Sequence, residues 1–137
     1  PGGIVASVVA VGADAATSEM QIPDDPSTVG WYAPGVRPGE TGTAVLAGHV
    51  AYDGRAGALA SLTDVDVGAI VLVSFVDGAV RAFRVSERVA YAKADLPVAD
   101  LFRTDGPPRL AVITCGGVFD RRTHSYHDNV VVLATPV

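Results

Sequence analysis

Between Ala69 and Tyr91 two runs rich in Val, Ile and Phe flank Asp77-Gly78, a residue pair that favours a tight turn between antiparallel strands. A hairpin of this kind has to bury one side. Phe83, Val85, Val89 and Tyr91 share one parity, which predicts a single buried face. Three further β-rich runs follow the same logic: Thr43 to Ala47, Arg109 to Thr114, and Asn129 to Ala134. The last two lack alternation, most clearly at Val130-Val131-Val132-Leu133, and so predict central strands covered on both faces. Ala56 to Leu62 and Val98 to Phe102 each suit about two helical turns, too short to persist without packing. Ile22 to Gly42 carries Pro23, Pro26, Pro34 and Pro38 and reads as an irregular surface excursion leading into the Thr43 strand. The expectation is a mostly β fold, a closed barrel or a sandwich, with short helices in the connections.

A hydrophobic content of 49% against 18% charged residues gives such strands a core to enclose. Residues 1–137 are expected to form one domain. The net charge of −5 would repel a phosphate backbone, so nucleic acid is not an expected partner. The longest apolar run, Ile4 to Val11, ends at Gly12 and Asp14 and falls far short of the ~18 residues of a membrane span. A soluble domain is expected. The sequence opens at Pro1, without Met or signal peptide, and reads as a mature fragment of a longer chain.

A single cysteine excludes an intramolecular disulfide and leaves a buried filler or a nucleophile. Cys115 follows the Leu110 to Thr114 run and precedes Gly116-Gly117, so its thiol is expected at an accessible strand end, with glycine N–H groups near a developing oxyanion. His49 follows the Thr43 to Ala47 strand and Gly48. Alone it reads as well as a solvated loop residue. Together the two residues fit a nucleophile and a proton-transferring partner, because imidazole lowers a thiol pKa and later protonates a leaving amine. Asp120 to Asn129 reads as a polar loop between two strands, from which a cationic side chain could hold an oxyanion. A zinc site of His49, Cys115, His124 and His127 is a weak alternative, since His-x-x-His is not a usual ligand spacing and no second Cys supports it. No metal and no cofactor are expected.

Ala111-Val112-Ile113-Thr114-Cys115 resembles the Thr-Leu-x-Thr-Cys signature of sortases. Gly116-Gly117-Val118-Phe119-Asp120 and Tyr126-x-Asp128-Asn129-Val130-Val131-Val132 resemble its actinobacterial branch, class F or E. Gly30-Trp31-Tyr32, Pro38-Gly39-Glu40 and Gly42-Thr43-Ala44-Val45-Leu46-Ala47-Gly48-His49 extend the resemblance in family order from about Ile22 to the C-terminus. It implies an eight-stranded sortase barrel, held at the outer face of a Gram-positive plasma membrane by an N-terminal anchor that this chain lacks. It also implies a reaction in which a thiolate attacks the Thr carbonyl of a Leu-Pro-x-Thr-Gly-like sorting signal. A thioacyl enzyme forms and passes its acyl group to a cell-wall or pilin amine. Cys115 and His49 match the family's cysteine and histidine. The family's arginine belongs in a Tyr-Arg-(Asp)-Asn-Val stretch, where this chain has His127, with Arg122 as the second choice for its role.

Two other readings compete. A chymotrypsin-like cysteine protease shares the His-before-Cys order, but its two barrels would be cramped in 137 residues and it needs an acid to orient His49. A papain-like enzyme has the opposite order. Outside enzymes, a surface β-barrel module that binds peptide without turnover fits the substitution at position 127.

Overall fold

The computed structural model describes residues 7–12, 28–48, 51–52, 55–56, 65–74, 78–92, 97–120 and 125–137, and at 7, 51–52, 55–56, 92, 98, 114–120 and 125–129 it is the backbone path that is described. Among the described residues nine strands form: β1 (Ser7–Val11), β2 (Thr28–Tyr32), β3 (Thr43–Gly48), β4 (Ala51–Tyr52), β5 (Arg55–Ala56), β6 (Ile70–Ser74), β7 (Val80–Ala92), β8 (Arg109–Asp120) and β9 (Ser125–Pro136). One short helix, α1 (Val98–Leu101), precedes β8. Seven strands make one sheet in the order β1-β2-β3-β8-β9-β7-β6, and β4 and β5 pair separately. The expected mostly β, barrel-type sheet is what forms, with seven strands in it among the described residues where eight were expected.

The sheet is apolar on both faces because its central strands carry continuous runs of Val, Leu, Ile and Ala. One face gathers Val29, Ala44, Leu46, Val73, Phe83, Val85, Leu110, Val112, Val132 and Ala134. Val29 on β2 and Val73 on β6 come from near opposite ends of the strand order, so the sheet curls around this cluster into half a barrel. The other face gathers Val45, Ala47, Ile113, Val131 and Leu133, closed by Leu101 of α1. The prediction that β8 and β9 are covered on both faces is borne out from Leu110 to Ile113 and from Val130 to Ala134.

Three expectations need correction. First, Ile22 to Gly42 is not irregular throughout: Thr28–Tyr32 is a strand, parallel to β1 and antiparallel to β3. Val29 is buried there, and Trp31 Nε1 donates to the Val36 carbonyl at 3.0 Å. The surrounding prolines masked a β-prone Thr-Val-Gly-Trp-Tyr run. Second, β6 and β7 do form an antiparallel hairpin, but Ser74 pairs with Val80. That register leaves an odd number of residues between the strands, whereas a two-residue Asp77-Gly78 loop needs an even number. Gly78 has a positive φ of 91°.

Third, the residues expected to share one buried face of β7 divide between both. Val85 pairs with Ala134 and Glu87 with Leu133, so Ser86 is an extra residue in a β-bulge. Its hydroxyl donates to the Leu133 carbonyl at 3.1 Å. The inserted residue reverses the alternation beyond it. Phe83 and Val85 pack in the first cluster, and Tyr91, of the same sequence parity, packs on the second.

Candidate active site

β3 and β8 form a parallel ladder from Thr43↔Arg109 to Gly48↔Thr114. The rungs hold because β3 is buried from Thr43 to Gly48 and β8 from Leu110 to Ile113, and a slip of one residue would move apolar side chains to the wrong face. β3 and β8 run the same way at Gly48↔Thr114, so the C-terminal end of β3 lies beside the Thr114 position of β8. In the sequence Gly48 is followed by His49, and Thr114 by Cys115.

Cys115 is not at a strand end. β8 continues to Asp120, and Cys115 pairs with Asn129 on β9. Asn129 pairs on its other side with Tyr91, so Cys115, Asn129 and Tyr91 form one row across three strands. The polar stretch expected as a loop is β9 from Ser125 onward, which puts Tyr126, His127, Asp128 and Asn129 in the sheet. Glycine tolerates the irregular backbone that follows. Gly116 pairs with Asp128 and Phe119 with Tyr126, which leaves Gly117 and Val118 opposite the one residue His127. This is a second bulge, immediately beside the Cys115 row. His49, Arg122 and His124 lie outside the described residues.

The structure therefore brings Cys115 and the His127 segment onto adjacent strands, with the Gly48 end of β3 on the other side of β8. Among the described residues no cluster of His, Cys, Asp and Glu is arranged to hold a metal. The described strands lie in one seven-stranded sheet and one two-stranded ribbon, unlike the paired barrels of a chymotrypsin-like protease. Sequence parity placed Tyr91 among core residues. Its position in the Cys115 row follows from the Ser86 bulge, for which Ser86-Glu87-Arg88 gives no sequence signal.

Residues 3–137 match the family described as Sortase domain. Among solved structures the fold is similar to sortase A from Corynebacterium diphtheriae, with a TM-score of 0.65 at 20% identity, covering 95% of this chain and 54% of that one. It is similar to Streptococcus agalactiae sortase C1 in complex with MTSET, with a TM-score of 0.64 at 21% identity over 81% of this chain and 54% of that one. Sortase C-1 from Actinomyces oris gives a TM-score of 0.64 at 20% identity over 80% and 58%. The present chain thus spans little more than half the length of these solved chains. No match was found among curated proteins.

Proposed function

The chain belongs to the sortase family, and from that premise we propose that it is a cysteine transpeptidase of the actinobacterial class F or E type. Cys115 is the nucleophile and His49 the proton-transferring partner. The observation that carries this reading is the parallel rung Gly48↔Thr114, since His49 and Cys115 are the residues that follow it on the two strands.

The substrate is a Leu-Pro-x-Thr-Gly-like sorting signal of a secreted protein, and the site of action is the outer face of the plasma membrane, as the family resemblance implies. The Cys115 thiolate attacks the Thr carbonyl carbon, and the pair of electrons moves to its oxygen. Collapse of that intermediate breaks the Thr–Gly bond while His49 gives its proton to the leaving amine, and a thioacyl enzyme remains. A cell-wall or pilin amine then attacks the thioester and loses its proton to His49, and collapse of that intermediate releases Cys115 as the thiolate, which restores the starting pair. His127 serves the oxyanion. Its support is the bulge, which sets it alone against Gly117 and Val118 beside the Cys115 row. Arg122 is the second choice. Neutral imidazole offers one donor and no bidentate fork, so His127→Arg should raise single-turnover acylation.

Intact mass after incubation with a Leu-Pro-x-Thr-Gly peptide tests the reading. A gain equal to the acyl fragment, reversed by hydroxylamine, is the expected result. Cleavage without a requirement for Thr-Gly would instead indicate a protease. Binding with no adduct would leave a peptide-binding module.

A further inference from the structure

We propose that Tyr91 forms one wall of the peptide site beside Cys115 and selects the acyl portion of the bound peptide, an inference that rests on the transpeptidase reading. Three observations converge on it. The first is the row Cys115–Asn129–Tyr91, which puts the Tyr91 backbone two strand spacings from Cys115, roughly 9 to 10 Å. The second is the face. The β8–β9 register is unbroken from Leu110 to Gly116, so Cys115 continues the odd-numbered series of Ala111 and Ile113, whose side chains lie in the second cluster. Tyr91 packs against that same cluster only because the Ser86 bulge reverses the alternation of β7. Bulges beside functional sites commonly re-aim a side chain in this way.

The third observation is the chemistry that Tyr91 presents. Its ring is partly buried against the cluster. An aromatic face with a phenol at its tip suits an extended peptide, which offers aliphatic side chains and backbone polar groups together. The opposite flank of this cluster carries a second aromatic group, Tyr32 and Phe102, edge to face with centroids 5.1 Å apart. The direction along the peptide follows from the strand order. β3, which leads to His49, lies on one side of β8, while β9 and β7 lie on the other. The leaving amine needs the acid and belongs on the β3 side, so Tyr91 meets the portion that stays on the enzyme.

Thioacylation kinetics of wild type, Tyr91→Ala and Tyr91→Phe test the proposal with two peptide series, one varied before the scissile bond and one after it. Tyr91→Ala should raise KM about tenfold and flatten discrimination within the first series only, with Tyr91→Phe, which keeps the ring, between it and wild type. Unchanged discrimination, or an equal fall in kcat for every peptide, overturns the proposal and leaves Tyr91 as a brace for the sheet. Binding of a fluorescent sorting peptide to Cys115→Ala, with and without Tyr91→Ala, separates the two claims. If wild type never acylates but binding still weakens about tenfold on loss of Tyr91, the wall stands and the transpeptidase reading fails. If wild type acylates and the Tyr91 variants match it, the wall alone fails.

Discussion

At its Arg109 end the β3–β8 pair is fastened by charged and hydroxyl side chains, whereas its Thr114 end leads into the proposed reactive residues. Arg109 Nε donates to Thr43 Oγ1 at 3.0 Å, and Arg109 Nη2 donates to the Asp100 carbonyl at 2.9 Å and to Asp100 Oδ2 at 3.1 Å. One guanidinium thus ties α1 to both strands. Beside it, Gly42 N donates to the Gly106 carbonyl at 2.9 Å and Thr43 N to the Arg103 carbonyl at 3.0 Å. Gly42 has a φ of 97°, and a Cβ there would lie 2.6 Å from the Thr104 carbonyl carbon. These bonds help to hold the register of the pair at this end. The comparison teaches that side-chain fastening and the proposed chemistry lie at opposite ends of the same two strands, so substitutions at the two ends should give separable effects.

The sharpest way to break that separation is at the Thr114 end. Cys115→Ala should abolish the thioacyl adduct and leave the thermal midpoint nearly unchanged, because only a small group is removed. His49→Ala should slow acylation about 10²- to 10⁴-fold with the fold intact, through loss of a positioned proton donor. A large fall in thermal midpoint for either variant would show that the two ends are not independent.

Gly42→Ala tests the fastened end. The positive φ alone costs roughly 1–3 kcal/mol in a non-glycine residue, and the close Thr104 backbone adds to it. Urea denaturation should show the loss, while acylation by the folded fraction stays within about twofold of wild type. Arg109→Met comes next, at about 1–3 kcal/mol, because the buried Thr43 hydroxyl loses its charged donor. Asp100→Asn should be the mildest. Its carboxylate is half exposed and its pair with Arg109 is worth less than about 1 kcal/mol. If Asp100→Asn destabilised more than Arg109→Met, the bond to Thr43 would not be what secures the pair.

β3, β8, β9 and the β6–β7 hairpin were legible in the sequence because each is announced by its own run of apolar or β-branched residues. Such a pattern is local, and a strand buried on both faces shows it whatever its neighbours are. Cys115 and His49 stood out for the same reason, as reactive residues directly after such runs. β2 was hidden, since prolines around it outweighed a five-residue signal and its place depends on pairing with β1 and β3. The tertiary structure alone decided that β3 and β8 lie side by side and parallel, that Cys115 is inside a long strand, and that Tyr91 crosses to the face of Ile113 and Val131. Residues far apart in the chain fix these features through hydrogen-bond register, and one extra residue at Ser86 is enough to reverse a face.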